Sequence, residues 1–440
     1  MKKPTDDSRA PVPGAGPSDD VPGGDGRGRH LSDPLDILRG RRILLAVTGG
    51  VAAYKAAELA RLMTRAGALV RVVMTEAAAR FVAPLTFSSL TGEGVGLDMW
   101  AREGTEGGGG HVRHVAWAEW AELLVTAPAT ADFLAKLAHG LAGDLASTIS
   151  LAYAGPRVTA PAMNAGMYLN PATRANLETL NSRGHRILGS PEGLLACGTS
   201  GPGRMAEPLA IALEAARALG GGRLKGKKVV VTGGASREGW DDIRFLSNRS
   251  SGKMGLSLAM SAWLMGAEVV YLASPAALFP AVPLEGLKVA LFETTQSLLD
   301  LLTEIISDAA PWALAMNAAP ADYAPAERVR GKISKSGEPV TEIKLARTPD
   351  ILTGLGPVKG SCLFLGFAAE EADLEEKARG KLLRKNLDFI AANRAGGPDS
   401  AFGSETTRLL LISKTSPAVT IGPAPKFQAA WDLWEAVASA

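Results

Sequence analysis

Two apolar runs in this chain end in the same three residues, Thr48-Gly49-Gly50 and Thr232-Gly233-Gly234. Glycines let a backbone approach a phosphate, and a helix that follows offers unpaired N–H groups. Neither turn matches G-x-G-x-x-G, and a tight strand–helix turn accounts for either as well as a ligand does. His114, with His111 three residues before it, is of the type that exchanges a proton near neutral pH. Asn164, in Pro161-Ala162-Met163-Asn164, carries an amide able to orient a carboxylate. Cys197 precedes Gly198 and Gly201-Pro202-Gly203, the composition of a flexible flap over a site. The second cysteine, Cys362, sits in the apolar run Ser361–Leu365 and reads as core. Lys332 and Lys335 lie on a polar loop between Gly331 and Gly337, which reads as a lid. Lys381 and Lys385 are four apart, so they share one helix face, a solvated basic face or an anion site. Arg244 and Asn248 are four apart as well, just before Ser250-Ser251-Gly252-Lys253.

The elements that must position these residues are legible from apolar periodicity. The run Arg41–Val47 has the length and flanks of a buried parallel strand and leads into a helical pattern from Ala52 to Arg65. Leu69–Met74 and Leu123–Thr126 read as further strands. The same design restarts at Lys228–Thr232, with a helix over Met254–Met265 and a strand over Ala267–Leu272. Strands alternating with helices predict an α/β fold, here two Rossmann-like domains with mainly parallel sheets. In such sheets ligands bind at the strand C-termini, where both glycine turns fall. The Gly-rich stretch Leu219–Gly226 separates the two units. The expected organisation is a disordered tail over 1–37, a first domain over 38–219, a linker over 220–226 and a second domain over 227–440.

Composition bounds the function class. Apolar residues make up 46% of the 440, enough for two buried interiors, while aromatics at 5% and 50 glycines favour close-packed α/β layers over a sandwich. A formal net charge of +2 gives no reason to invoke nucleic acid or an anionic membrane. No apolar run approaches the ~20 residues of a spanning helix. Two cysteines cannot make a disulfide framework, which suits a reducing cytoplasm. The first 37 residues, rich in Pro, Gly, Asp and Ser, cannot bury enough surface to offset their ordering entropy. They also lack the apolar core of a secretory signal.

Longer motifs carry a resemblance. Gly49-Gly50-Val51-Ala52-Ala53-Tyr54-Lys55, Met74-Thr75-Glu76-Ala77, His114, Ala127–Asp132, Pro161–Tyr168, and Ala196-Cys197-Gly198 before Gly201–Met205 resemble the flavin-dependent cysteine decarboxylases, in particular phosphopantothenoylcysteine decarboxylase. Arg244–Gly255, Ala321-Asp322-Tyr323, Lys332–Lys335, Gly366–Glu370 and Arg384–Asp388 resemble phosphopantothenate–cysteine ligase. Both in this order look like the bacterial bifunctional family of coenzyme A biosynthesis, over about residues 41–435. The resemblance implies ligation of cysteine to 4'-phosphopantothenate through an acyl-cytidylate made from CTP, then FMN-dependent decarboxylation to 4'-phosphopantetheine. It implies His114, Asn164 and Cys197 as catalytic in the first half, Cys197 as proton donor. Thr48, Gly49, Gly50, Thr75, Ala127, Pro128 and Thr130 would contact FMN, although Thr130 also suits a helix N-cap. In the second half it implies Asn248, Arg244 and Lys332 as catalytic. Ala318, Asp322, Lys332, Thr348, Pro349, Asp350, Ile351, Phe367, Lys381 and Lys385 would contact the nucleotide, with Asp322 toward Mg2+. It implies an FMN site between subunits of a trimer and a ligase dimer, combining to a dodecamer.

The chain departs from the ligase pattern at Ser236-Arg237-Glu238, at Ala392-Asn393-Arg394, and at Asn317 and Pro320. These positions bear on the choice of CTP over ATP. Two other functions compete: a flavin decarboxylase acting on a peptide C-terminal cysteine, which leaves the second half unexplained, and a regulatory nucleotide-binding protein with inactive sites. A chain active in one half alone is a third, the departures pointing to the ligase as the lost half.

Overall fold

The computed structural model describes residues 31–100, 113–189, 193–194, 200–334, 342–370, 373–394 and 404–440. The first half is a five-stranded parallel sheet of β1 (Arg42–Val47), β2 (Leu69–Met74), β3 (Leu123–Ala129), β4 (Arg157–Pro161) and β5 (His185–Ile187). Its order is β2-β1-β3-β4-β5. Every residue of β1 after Arg42 is buried, as a strand with helices on both faces requires. Its principal helices are α1 (Ala53–Arg65), α2 (Arg113–Trp120), α3 (Ala131–His139), α4 (Leu145–Ala152), α5 (Pro171–Ser182) and α6 (Pro208–Leu219). In α1 the buried residues Ala53, Ala56, Leu59, Ala60 and Met63 recur at helical spacing and form one face.

The second half is an eight-stranded sheet. Its strands are β6 (Lys228–Gly233), β7 (Glu268–Ala273), β8 (Leu287–Leu291), β9 (Ala313–Met316), β10 (Leu363–Glu370), β11 (Phe389–Arg394), β12 (Thr406–Ser413) and β13 (Val419–Pro425). The order is β8-β7-β6-β9-β10-β11-β12-β13. The first six run parallel, and β12 and β13 are antiparallel additions at one edge. The principal helices are α7 (Lys253–Leu264), α8 (Thr295–Ala309), α9 (Leu374–Arg384) and α10 (Lys426–Ser439). The strands and helices expected from the sequence are all present, with no end moved by more than three residues.

Residues 31–440 form one compact unit, and the seam between the halves is packed. Arg217 of α6 lies 4.7 Å over the Trp263 ring of α7 and donates to the carbonyls of Gly266 and Ala267. A Cβ on Gly220 would meet the Leu264 carbonyl oxygen at 2.2 Å, so only glycine allows this approach of α6 to α7. Leu224, in the Gly-rich stretch between the halves, is fully buried and donates its N–H to Met265.

The expected disordered tail to residue 37 is corrected by this seam. Pro34–Leu38 forms a short 3-10 helix capped by Asp33, whose side chain accepts from Leu35 N. Leu31, Ile37 and Leu38 are buried, and Leu31 N donates to Gln428 of α10 at 2.8 Å. Three apolar side chains among polar neighbours are too few to signal a core alone, yet they suffice where two halves already offer one. Among the described residues no helix is long and apolar enough to cross a membrane.

Candidate functional site

The C-terminal ends of β1 to β4 open into a cavity of about 1180 Å³. Thr48, Gly49, Gly50, Thr75, Thr130 and Asn164 line it. The Thr48 hydroxyl donates to the Pro128 carbonyl at 2.7 Å and accepts from Thr130 N at 3.1 Å, which locks the ends of β1 and β3 together. Thr130 caps α3, and Thr75 caps the short helix Glu76–Ala79. The N-cap of α1 is Ala52, which has no side chain to satisfy the first-turn amides. The two glycines differ in role. A Cβ on Gly49 would stand 2.3 Å from the Ala77 Cβ, so Gly49 brings the first two turns into contact. A Cβ on Gly50 would meet nothing nearer than Thr130 Cγ2 at 3.5 Å and would fill cavity space instead.

Ala127 and Pro128, expected at the flavin, belong to β3, which runs on to Ala129. Ala127 is fully buried, and neither residue is among those lining the cavity; Pro128 reaches it through Thr48. Asn164 follows β4 and accepts from Gly166 N at 2.8 Å, capping Ala165–Leu169. Its place is set from outside the strand. Met163 N donates to the Gly203 carbonyl at 2.9 Å, and Gly203, at φ +126°, packs against the Met163 carbonyl so closely that a Cβ would lie 2.2 Å from it.

His114 is not among the cavity-lining residues. It lies in α2, with its Nδ1 buried and without a hydrogen-bond partner. Cys197, His111 and Lys335 lie outside the described residues. The cavity also contains Lys55, Lys136 and Arg204, none of them singled out from the sequence as site residues. Lys55 Nζ stands 3.3 Å from both oxygens of Glu207, which Arg204 reaches at 2.6 Å. Lys136 bridges Asp132 at 3.2 Å and Asp144 at 3.1 Å. The i, i+4 spacing of Asp132 and Lys136 and the i, i+3 spacing of Arg204 and Glu207 were available signals, whereas Lys55 and Glu207 lie 152 residues apart.

In the second half the named residues gather at the C-terminal ends of β6, β9 and β10. Asn248 Nδ2 donates to the Pro320 carbonyl at 2.9 Å and lies 3.5 Å from that of Ala319. Ala319 N in turn donates to Gly234, and Ala318 N to the Thr232 hydroxyl. The Gly233-Gly234 turn is close-packed against α7, since a Cβ on Gly255 would lie 2.7 Å from Gly233 Cα. Asp241 joins two segments. Its carboxylate accepts from the amides of Ile243 and Arg244, and from Ile333 N at 3.2 Å, and it stands 3.4 Å from the Arg244 guanidinium. Desolvation opposes, yet these backbone amides hold the Asp241 carboxyl below its ordinary range. Lys332 is thereby held on a loop tied to the Arg244 turn.

Thr348 closes over Asp322: its amide donates to the Asp322 carbonyl and its hydroxyl to that of Ala321. Asp350 caps the short helix that begins at Ile351, beside Pro349, and pairs with Lys385 at 3.1 Å. Lys381 pairs with Glu370 at 2.5 Å. The shared face of Lys381 and Lys385 is therefore anchored to two acids. Phe367 is half-buried in β10. The departing residue Ser236 is fully buried and accepts from Ala321 N at 2.9 Å, so its hydroxyl holds the loop before Asp322. Cys362 is buried, and burial pushes its thiol up to about 12, as befits an inert core residue. Among the described residues no three His, Cys, Asp or Glu side chains cluster as a metal site.

Comparison with known proteins covers both halves. The family model described as Flavoprotein matches residues 32–218, and that described as DNA/pantothenate metabolism flavoprotein C-terminal domain matches 224–440. The coenzyme A biosynthesis bifunctional protein CoaBC of Vibrio cholerae is 40% identical over 386 residues, covering 86% of this chain and 94% of the relative. That of Bacillus subtilis is 38% identical over 408 residues, covering 92% and 98%. That of Escherichia coli K12 is 40% identical over 387 residues, covering 85% and 91%. With both halves matched in order and almost the whole length of each relative covered, the chain belongs to the CoaBC family of bifunctional coenzyme A biosynthesis enzymes, which join a decarboxylase and a ligase in one polypeptide.

Proposed function

We propose that the first half decarboxylates phosphopantothenoylcysteine with FMN, and that the second makes this substrate from 4'-phosphopantothenate, cysteine and CTP with Mg2+. The observation that carries the first part is the cavity at the ends of β1 to β4, with two helix N-termini, two threonine caps and Asn164 around it. Its volume suits a mononucleotide, and the uncapped start of α1 beside Gly50 suits the phosphate. Thr48, Gly49, Gly50, Thr75 and Thr130 would hold the FMN. Bound FMN supplies a reversible two-electron sink that makes loss of CO2 from a cysteine amide feasible.

The protein's own contribution is position and protons. Asn164 orients the substrate carboxylate, its side chain already fixed by the Gly166 amide. His114 takes a proton; its buried Nδ1 without a partner suits a ring that awaits one. Because His114 does not line the cavity of its own chain, it serves the cavity of a neighbouring subunit, as a trimer would arrange. Cys197 returns a proton to the product.

In the ligase half, Asn248 and Arg244 hold the acyl phosphate of the activated substrate, and Lys332 covers it from the tethered loop. Ala318, Asp322, Thr348–Ile351, Phe367, Lys381 and Lys385 receive the nucleotide. Asp322 would be a protein ligand to Mg2+ that arrives with the nucleotide phosphates and offsets their charge. The enzyme is a cytoplasmic homo-oligomer of decarboxylase trimers and ligase dimers.

The test supplies 4'-phosphopantothenate, cysteine, CTP and Mg2+ to the purified chain and follows products by mass spectrometry. Appearance of 4'-phosphopantetheine with CMP, pyrophosphate and CO2 is the expected result. Turnover with ATP but not CTP would sink the nucleotide assignment, and accumulation of phosphopantothenoylcysteine would sink that of His114, Asn164 and Cys197 in a flavin-loaded preparation.

A further inference from the structure

A second, smaller cavity of about 270 Å³ lies at the other edge of the first sheet. Arg157 is the first residue of β4 and His185 the first of β5, so this is the N-terminal edge, opposite the cavity described above. Arg157, Arg183, His185 and Lys136 line it, together with the hydroxyl residues Ser147 and Ser150. Lys136 already bridges two carboxylates. The two guanidiniums do not. Arg157 donates one N–H to the Gly155 carbonyl and lies 5.4 Å over the Tyr153 ring. Arg183 donates one N–H to the Ala138 carbonyl at the end of α3. Among the described residues neither has a carboxylate partner, although Arg157 is half-buried.

Each guanidinium has five N–H donors in a fixed fork, and here most of them are left over. The two guanidiniums carry like charges beside one cavity, and a counter-anion between them would relieve their repulsion. Their effect on a neighbour is visible: burial, then Arg157 and Arg183, push His185 down to about 4. His185 accepts or donates one bond with the Thr159 hydroxyl at 3.3 Å and is otherwise enclosed. A tetrahedral oxyanion matches this donor set, because its oxygens can take forked bonds from two arginines at once. A volume near 270 Å³ admits a phosphate with a short organic arm, for which Leu137, Leu141 and Leu151 form an apolar rim.

We propose that this cavity is a second binding site, for a small phosphate-class oxyanion held by Arg157 and Arg183. Helix α3 joins it to the first cavity, which its N-terminal turn lines while its C-terminal turn lines the second. Lys136 borders both.

The test is equilibrium dialysis of radiolabelled orthophosphate against the full-length protein preloaded with FMN and CTP. Wild-type chain is expected to bind one phosphate per chain more than the double variant Arg157→Gln/Arg183→Gln. The single variant Arg157→Lys keeps the charge without the fork, and it is expected to bind at least tenfold more weakly than wild type. Arg183→Gln alone, at an exposed position, guards against a misfolded double variant. Sulfate should compete and acetate should not. Equal phosphate stoichiometry in wild type and Arg183→Gln would overturn the proposal. So would a changed sedimentation coefficient in the variants with no change in phosphate, which would assign the arginines to carboxylates of a second copy.

Discussion

Replacement of Gly203 by alanine tests how Asn164 is positioned. Gly203 sits at φ +126°, which L side chains rarely adopt, at a cost of about 1–3 kcal/mol. The added Cβ would also stand 2.2 Å from the Met163 carbonyl oxygen and 3.3 Å from Asn164 C. Relief to a 3.0 Å contact demands a shift of about 0.8 Å, and the obstacle is backbone, which cannot rotate away. Met163 N also donates to Gly203, so the hydrogen bond that ties the two segments stretches with the clash. A displacement near 1 Å of a positioning group costs on the order of 10²-fold in rate. The expected result for Gly203→Ala is a kcat for decarboxylation lower by about 10- to 100-fold, or ~1.4–2.7 kcal/mol. The assay supplies phosphopantothenoylcysteine directly to flavin-loaded enzyme and follows CO2. Ligase activity in the same preparation controls for folding and should hold. A decarboxylase kcat within twofold of wild type, with normal ligase activity, would refute the claim that Gly203 sets the position of Asn164.

Two further outcomes follow from single groups. His185 is held down to about 4 from 6.5 by burial and by Arg157 and Arg183. Between these values the unfolded chain binds the proton and the folded one does not, so stability is lost as pH falls from about 6.5 toward 4. Partial water access limits the loss to ~1–2 kcal/mol. Urea denaturation at about pH 7.5 and about pH 5 should show it, and His185→Asn should flatten the difference; equal slopes in both proteins would contradict the burial argument. Asp241→Asn removes the charge that three amides share, one of them on the Lys332 loop. Ligase kcat/KM should fall by about tenfold while decarboxylation of added phosphopantothenoylcysteine stays constant, and equal loss of both activities would indicate a general folding defect instead.

Much of the architecture was legible because parallel strands are short apolar runs and their helices keep one buried face. β1, β2 and β6 lie within a residue of their expected bounds, and Thr48-Gly49-Gly50 falls at a strand end as a βα turn must. The links between segments were harder to read. Thr295 reaches back 57 and 59 residues to Glu238 and Ser236 in a buried hydrogen-bonded group, and no spacing announces it. The seam was invisible for the same reason. Leu31, Leu35, Ile37 and Leu38 are a few apolar residues at the end of a polar stretch, and α6 and α10 beside them decide their burial.

The α/β class, the two-part organisation and the types of side chain at each strand end could be read along the chain. Those depend on local periodicity and on motifs within a few residues. Packing in three dimensions is what sets Gly203 against Asn164, ties the Lys332 loop to Arg244 through Asp241, and brings Arg157 and Arg183 to one cavity without an acid. Each of these joins residues from separate segments. Their energies depend on distances and burial that arise only when the helices pack onto the sheet, and a linear pattern carries neither quantity.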